Sequence, residues 1–268
     1  MCLYVISMPF YKRQQERIMP KDAVKIGLIG FGNIGTGVVK MFRHSGKMLD
    51  ERAGVRLELK KICDLDIKRD RGVSVPPGSL TTNVNEILND PEIDIVIELM
   101  GGYKPAYNFV MSAMEAKKHV VTANKAMVSR YWEELADCAS RNGVEIMAEA
   151  SVGGGIPVLR GIDKGLVANR IEEIMAIVNG TCNYILTRMT LEKMSFNEAL
   201  REAQAKGFAE ADPTFDIDGI DTMHKLIILS NMSFGTALKE KDINVQGIRH
   251  VDAMDIEAAG ELGYVMKL

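Results

Sequence analysis

The sequence predicts an α/β fold in which a doubly wound parallel sheet is followed by a smaller α+β domain. Through the first half of the chain, short apolar segments alternate with amphipathic ones, as is typical of parallel strands joined by crossover helices. A glycine-rich turn directly follows the first apolar segment. Beyond Glu149 the pattern changes to a glycine-rich loop, helices and an acidic loop, so we place a domain boundary near this residue.

The strands of the predicted sheet are buried apolar segments, and helices lie between them. The five strands are expected at 24–30, 55–64, 93–100, 119–123 and 144–148. A helix follows the glycine turn, a short one begins at Asn85, and two more lie at 105–116 and 131–142. The second domain is expected to contain a weakly alternating strand at 171–179 and helices at 184–189, 196–206 and from near Asp221.

The bulk composition is that of a soluble globular protein, with 47% hydrophobic and 26% charged residues among 268. The net charge of −3 argues against nucleic acid as a partner, because nucleic-acid-binding proteins usually carry a basic surface. No apolar run is long enough to span a membrane. The four cysteines have no paired spacing, which indicates free thiols in a reducing compartment such as the cytoplasm. The histidines lack metal-binding spacing, and we expect no transition-metal site.

The first residues do not fit the rest of the chain. Residues 1–18 place their positive charge after a short apolar stretch, which is the reverse of a signal peptide. We therefore expect a disordered or non-native extension that ends before Met19. Residues 19–148 then form the predicted sheet domain, and residues 149–268 form the second domain.

The glycine turn has the sequence GFGNIG, and its predicted site residues are Gly30, Gly32, Asn33, Ile34 and Gly35. The spacing alone is weak evidence, but here a buried strand precedes it and an amphipathic helix follows it, as in Rossmann-type dinucleotide-binding domains. The first glycine permits the tight turn, the second lets the backbone approach a pyrophosphate, and the third lets helix and strand pack closely. The alternative is a purely structural turn.

Two signals for the cofactor's ribose conflict. Asp64 ends the second strand, where a carboxylate suits a free 2′-hydroxyl and therefore favours NAD. Lys68, Arg69 and Arg71 follow closely and suit the 2′-phosphate of NADP, unless they form only a solvated loop. The choice between NAD and NADP stays open.

Several longer motifs resemble those of homoserine dehydrogenases. After GFGNIG these are HVVTANKA, EASVGGGIP, NGTCNYIL and KGFAEADPTFDIDGIDTMHK, in that order. The resemblance covers residues 24–268. It implies a homodimeric cytoplasmic enzyme that interconverts L-homoserine and L-aspartate 4-semialdehyde with NAD or NADP, in threonine, methionine and isoleucine biosynthesis. It also implies that the second domain serves substrate binding and dimerisation.

The resemblance assigns roles to individual residues. Lys225 is the expected acid/base for the substrate oxygen, and Asp221, one helical turn earlier, orients it. The other residues that it assigns are Glu210, Asp216, Lys125 and Thr181 for substrate, and Met100, Gly101, Lys125 and Gly207 for cofactor. Without the resemblance, the acidic segment reads as a solvated loop and the Asp–Lys pair as a surface ion pair.

The EASVGGGIP motif resembles the family's monovalent-cation loop. It implies a structural sodium ion bound by the carboxylate of Glu149 and the carbonyls of Val152, Gly154 and Ile156, an all-oxygen set that suits a hard cation. The alternative is a glycine hinge. Within NGTCNYIL, we interpret Cys182 as a packed small residue, because the reaction needs no covalent intermediate.

The chain departs from the family at its end. Family members continue past ELGYVMKL, so we expect this chain to be a fragment that binds dinucleotide and turns over poorly alone. Two alternatives remain open: another amino-acid dehydrogenase with the same nucleotide domain, and a dinucleotide-binding fragment without catalysis.

Overall fold

The computed structural model describes residues 21–268, so the expected extension at 1–18 lies outside the described residues. A parallel sheet of six strands forms the first half. Its strands are β1 (Ala23–Ile29), β2 (Arg56–Cys63), β3 (Leu80–Thr81), β4 (Ile93–Glu98), β5 (His119–Thr122) and β6 (Ile146–Met147). The predicted Rossmann-type sheet is confirmed, and the short β3 is an addition to the five strands expected.

The strand order is β3-β2-β1-β4-β5-β6, so the winding reverses between β1 and β4. Ile29 at the end of β1 lies in register with Cys63 of β2 and with Glu98 of β4. The carboxyl ends of these three strands therefore lie side by side. Ligands of open α/β sheets bind at such a reversal, outside the carboxyl ends of the strands.

Helices cover both faces of the sheet and form the second half. They are α1 (Asn33–Ala53), α2 (Asn85–Leu88), α3 (Ala106–Glu115), α4 (Lys125–Arg130), α5 (Trp132–Asn142), α6 (Val158–Arg160), α7 (Gly180–Glu192), α8 (Phe196–Ala205), α9 (Thr214–Ile217), α10 (Ile220–Phe234) and α11 (Ala253–Glu261). The predicted helices after the glycine turn, at 105–116, 131–142, 184–189 and 196–206, and from near Asp221 are all present.

The predicted strand at 171–179 is wrong. The segment has no regular secondary structure, and Met175 within it is 84% exposed. A strand is defined by the partner that completes its ladder of hydrogen bonds, and among residues 21–268 no segment pairs with this one. Within the described residues, the chain after Met147 is helical and irregular.

Packing of α10 joins the two halves. Ile228 and Leu229 of this helix belong to the same buried cluster as Val96 and Val120 of the sheet. A separate cluster, which includes Ile185 of α7, forms a second core between the helices of the second half. The helix that carries Asp221 and Lys225 is therefore anchored against the sheet domain, and Asp221 pairs with Lys125 at the start of α4, shortly after β5.

Candidate active site

The glycine turn is packed as its spacing predicts. Gly30 has a φ of +99°, and a Cβ there would lie 2.7 Å from the backbone of Leu99. A Cβ on Gly35 would lie 2.1 Å from the carbonyl oxygen of Gly30, because α1 begins directly against β1. A Cβ on Gly32 would meet nothing within 4 Å. Two glycines are therefore required by the fold, while Gly32 borders open space.

The open space at Gly32 faces the N-terminus of α1. Gly32 is the N-cap residue, and no side chain caps the first amides of the helix. Asn33 and Ile34 are exposed at this end. Uncapped amides and the positive end of the helix dipole form an anion site, and the missing Cβ provides the close approach that a pyrophosphate needs. This part of the chain fits a dinucleotide.

Asp64 and Arg71, which led to conflicting predictions for the cofactor's ribose, are in contact with each other. Asp64 accepts hydrogen bonds from the backbone amides of Phe31 (2.6 Å) and Asp66 (2.9 Å), and Arg71 Nη2 lies 3.2 Å from it. The guanidinium of Arg71 also stacks 4.6 Å from the Phe31 ring. Lys68 is exposed, as is Arg69. Asp64 thus stabilises the glycine turn. Its negative charge is partly neutralised by Arg71, the residue that would favour the 2′-phosphate of NADP.

Two loops at the carboxyl edge, after β4 and β5, are tied together by a buried network that our sequence reasoning missed. Glu98 accepts hydrogen bonds from the Met100 amide (2.7 Å) and the Thr122 hydroxyl (2.6 Å). Asn124 in turn donates from Nδ2 to the Gly102 carbonyl (2.8 Å). A glutamate at the end of the mostly apolar strand IDIVIE was the available signal. Met100 and the adjacent Gly101 thus lie in a fixed loop beside the glycine turn.

Lys125, Asp221 and Lys225 form the centre of the site. Asp221 lies between the two lysines, with Lys125 Nζ 3.0 Å from Oδ1 and Lys225 Nζ 2.7 Å from Oδ2. Lys225 also donates to the Val178 carbonyl (2.7 Å). Burial raises the pKa of Asp221, but hydrogen bonds from Lys225 and Asn179 outweigh this, so the pKa lies below its usual value. The group is a buried carboxylate held charged by two cations.

Asn179 organises the acidic side of the site. Its Nδ2 donates to Asp216 (2.7 Å) and Asp221 (2.8 Å), while its Oδ1 caps α7 by accepting from the Cys182 amide (2.8 Å). Sequence reasoning gave no role to Asn179, although it lies in the quoted motif NGTCNYIL. An asparagine preceding a helix is a common N-cap, and that was the available signal.

Two adjoining cavities meet at the lysine cluster. One of about 920 Å³ reaches from Ile34 of the glycine turn to Lys125 and Lys225. The other, of about 690 Å³, is lined by Thr181, Gly207, Asp216, Asp221 and Lys225 among others. The structure therefore brings most of the predicted substrate residues together, and it places Gly207 on the substrate side of the cleft rather than at the glycine turn.

Glu210 is the exception among the predicted substrate residues. It is exposed, and neither cavity is lined by it. Its backbone carbonyl accepts a hydrogen bond from Gln204 (3.1 Å), which fixes the loop. The loop after α8 thus carries Gly207 into the cavity and Glu210 out of it, a distinction that spacing does not encode.

Cys182 is packed, as expected. It is 0% exposed, and its Sγ donates to the Asp216 carbonyl at 3.2 Å. Burial, together with the nearby carboxylates Asp216 and Asp221, raises the pKa of the thiol to about 12. A thiol with this pKa is protonated and unreactive at neutral pH.

Some of the oxygen atoms expected to bind the cation already accept hydrogen bonds from backbone amides. The Glu149 carboxylate accepts hydrogen bonds from the amides of Leu159 (3.0 Å) and Arg160 (2.8 Å), so it caps α6. The Ile156 carbonyl accepts from the Val158 amide (2.8 Å). Carboxylate and carbonyl oxygens keep a second lone pair when they accept one hydrogen bond, so the oxygen set still fits a hard cation.

A second buried network, also missed from sequence, connects the loop after β4 with α10. The Tyr103 hydroxyl lies 3.2 Å from His224 Nε2 and donates to Glu240 (3.2 Å). His224 is fully buried, and its Nδ1 has no hydrogen-bond partner among residues 21–268. Burial lowers the pKa of this histidine although Glu240 acts in the opposite direction. The uncharged ring with a proton on Nε2 fits these contacts.

An anion-binding glycine turn at the reversal of a doubly wound sheet, joined by a cavity to a Lys–Asp–Lys cluster, defines the class of Rossmann-type dinucleotide-binding proteins. Residues 30–149 match the family model for the NAD binding domain of homoserine dehydrogenase, and residues 157–268 match the homoserine dehydrogenase model. The chain belongs to the homoserine dehydrogenase family. No helix within residues 21–268 is long and apolar enough to cross a membrane.

Known members of the family align along almost the whole chain. The homoserine dehydrogenase of Synechocystis is 45% identical over 91% of this chain and 56% of its own length. The crystal structure of the Thiobacillus denitrificans enzyme superposes with a TM-score of 0.87 at 42% identity, covering 92% of this chain and 57% of that one. A hyperthermophilic archaeal homoserine dehydrogenase in complex with NADPH superposes with a TM-score of 0.74 at 27% identity, covering 86% of this chain and 76% of that one. The chain spans little more than half the length of the curated relatives it matches.

Proposed function

We propose that the protein interconverts L-homoserine and L-aspartate 4-semialdehyde with a nicotinamide dinucleotide. The observation that carries this is the Asp221 carboxylate between Lys125 and Lys225, at the junction of the two cavities. The substrate is a small zwitterion, so it needs carboxylates for its ammonium group and a proton-exchanging group for its oxygen. Asp216 and Lys225 offer these in the same cavity as Asp221.

Each residue has a distinct role in the proposed reaction. Lys225 Nζ exchanges the proton of the substrate oxygen, and Asp221 orients it. Lys125 and the Thr181 hydroxyl bind substrate, and Asp216 binds its ammonium group. Gly30, Gly32, Asn33, Ile34 and Gly35 would hold the dinucleotide, which would supply or accept the hydride. Both NAD and NADP fit the paired Asp64 and Arg71, and the family member that binds NADPH supports NADP.

The test is a spectrophotometric assay at the absorbance band of the reduced cofactor. L-Homoserine is offered with NAD and with NADP, and L-serine and L-threonine are the matched controls. The assay is run on this chain, which is expected to turn over poorly alone, and on a version extended with a family-like C-terminal segment. In the extended version we expect reduction of cofactor with homoserine and little with the shorter or branched amino alcohols. Dinucleotide binding without turnover of homoserine in both versions would contradict the proposal and would favour a binding protein without catalysis.

We also propose that the Glu149 loop binds a structural sodium ion through its carboxylate and the carbonyls of Val152, Gly154 and Ile156. The all-oxygen donor set supports a hard cation. The melting temperature is expected to rise when sodium chloride replaces choline chloride at equal ionic strength, and Glu149→Gln should reduce that rise. Equal melting temperatures in the two salts would contradict a sodium site.

The assembly and location are further parts of the proposal. The family resemblance supports a homodimer, which light scattering on the purified protein tests. Cys63, Cys138 and Cys182 are free and buried, which supports a reducing compartment such as the cytoplasm. The expected metabolic place is the branch that leads to threonine, methionine and isoleucine, and growth of a homoserine-requiring strain on the cloned gene tests it.

A further inference from the structure

The most unusual charge in the nucleotide half is the carboxylate of Glu98. It is 0% exposed at the end of β4. Within residues 21–268 its hydrogen bonds come from the Met100 amide and the Thr122 hydroxyl, and no basic side chain forms an ion pair with it. Both bonds are of the kind that an ionised carboxylate accepts. A buried charge without a cationic partner is unfavourable, so its position calls for a compensating ligand.

The position of Glu98 indicates that this ligand is the dinucleotide. Glu98 lies in register with Ile29 on one side and with Thr122 on the other. The backbone of the next residue, Leu99, is what a Cβ on Gly30 would strike, so the end of β4 lies beside the glycine turn. This is the reversal point of the sheet, across which a dinucleotide extends. The charge therefore lies on the β4 and β5 side of the cleft, toward Lys125.

The network around Glu98 also fixes its surroundings. Thr122 Oγ1 accepts from the Asn124 amide (3.0 Å), and Asn124 bonds the Gly102 carbonyl (2.8 Å). Lys125, the residue that follows, pairs with Asp221 at 3.0 Å. The carboxylate is thus held rigidly by two loops that border the site, while both nearby lysines are already paired with another carboxylate. Its charge is left free to act on a ligand.

We propose that Glu98 favours the oxidised form of the nicotinamide over the reduced form by supplying a fixed negative charge to that end of the cleft. The inference rests on the proposed function. The oxidised ring carries a positive charge and the reduced ring is neutral, so a buried carboxylate attracts only the first. Glu98 touches neither substrate nor the reacting atoms; it acts through its electric field.

The experiment measures the two cofactor forms separately and without homoserine. Titration calorimetry gives the Kd of the oxidised dinucleotide, and the fluorescence of the reduced nicotinamide ring gives the Kd of the reduced dinucleotide. In Glu98→Gln the side chain keeps its shape and can still bond Met100 and Thr122, but the charge is gone. We expect the ratio of Kd oxidised to Kd reduced to rise by about tenfold, the scale of one charge at low dielectric.

Thr122→Ser is the matched control. It removes a buried methyl group from the loops but keeps the hydroxyl that donates to Glu98, so we expect both Kd values to change together, if at all, and the ratio to stay constant. Glu98→Met, which fills the site without charge, is the second variant if Glu98→Gln does not fold. It is expected to raise the ratio in the same way.

The outcomes are distinguishable. An unchanged ratio in a folded Glu98 variant overturns the inference and leaves the proposed dehydrogenase standing. A ratio that moves equally in Thr122→Ser also overturns it, because loop packing would then account for the effect. A wild-type protein that binds neither form of NAD nor NADP overturns the proposed function itself.

Discussion

The two sides of the cleft hold their functional groups by different means. On the nucleotide side, the site is built from backbone: glycines at a strand end and uncapped amides of α1. On the substrate side it is built from side chains, with Asp221 paired to a lysine from each half of the chain. Backbone sites follow from local pattern, whereas side-chain sites depend on contacts between distant residues. The two sides should therefore respond differently to substitution.

The largest effect is expected on the side-chain half. Lys225→Ala removes the proton-exchanging group, and we expect turnover to fall at least about a hundredfold. The Kd for dinucleotide should stay nearly constant, because the lysine serves the substrate. Lys164→Ala is the control, because it removes an exposed lysine whose one ion pair in the described part of the chain is with Asp163. Near-normal turnover in Lys225→Ala would remove Lys225 from the mechanism.

The next effect concerns the backbone half. Gly35→Ala would place a Cβ 2.1 Å from the Gly30 carbonyl, and this overlap has to be relieved by moving α1 away from β1. Overpacking of this kind costs about 1–3 kcal/mol, so we expect a lower melting temperature and at least about tenfold weaker dinucleotide binding. Thermal unfolding and calorimetry measure the two effects.

Gly32→Ala is the informative partner of that variant. Its Cβ meets nothing within 4 Å, so the melting temperature should be unchanged while dinucleotide affinity falls. Equal affinity in Gly32→Ala and wild type would show that phosphates do not approach the turn, and the backbone half of the comparison would then be wrong.

A smaller effect, on cofactor preference, is expected at Asp64, whose carboxylate contacts both the backbone of the glycine turn and the side chain of Arg71. Asp64→Ser removes repulsion toward a 2′-phosphate and also frees Arg71, which now lies 3.2 Å from the carboxylate. Both changes favour NADP, so kcat/KM for NADP relative to NAD should rise severalfold. Arg71→Met should move the ratio in the opposite direction. An unmoved ratio in Asp64→Ser would mean that this carboxylate serves the turn alone.

The same division explains what the sequence could predict. The parallel sheet, the crossover helices and the glycine turn depend on local periodicity and on residues a few positions apart, and all are present. The segment at 171–179 alternates like a strand but lacks a partner, and pairing is not a local property. Glu98 and His224 were missed because their partners are distant in sequence: Thr122 for the first, Tyr103 and Glu240 for the second.

The smallest expected effect tests whether the Tyr103–His224–Glu240 contact joins the halves as a neutral network. Burial lowers the pKa of His224, so at mildly acidic pH this histidine binds a proton more readily in the unfolded chain than in the folded chain. Stability should therefore fall as pH drops below the unfolded histidine value of about 6.5, by at most about 1.4 kcal/mol per pH unit.

Urea unfolding between pH 7.5 and pH 5 measures this dependence. His224→Gln keeps a polar side chain that can bond Tyr103 and Glu240 but cannot titrate, so its stability should depend less steeply on pH than that of wild type. His44→Gln, at an exposed position on α1, is the control and should retain the wild-type slope. Acidic groups contribute equally to all three proteins, which is why only the difference in slope counts. Parallel slopes for wild type and His224→Gln would mean that His224 binds protons equally in the folded and the unfolded chain, and the fold would then not lower its pKa.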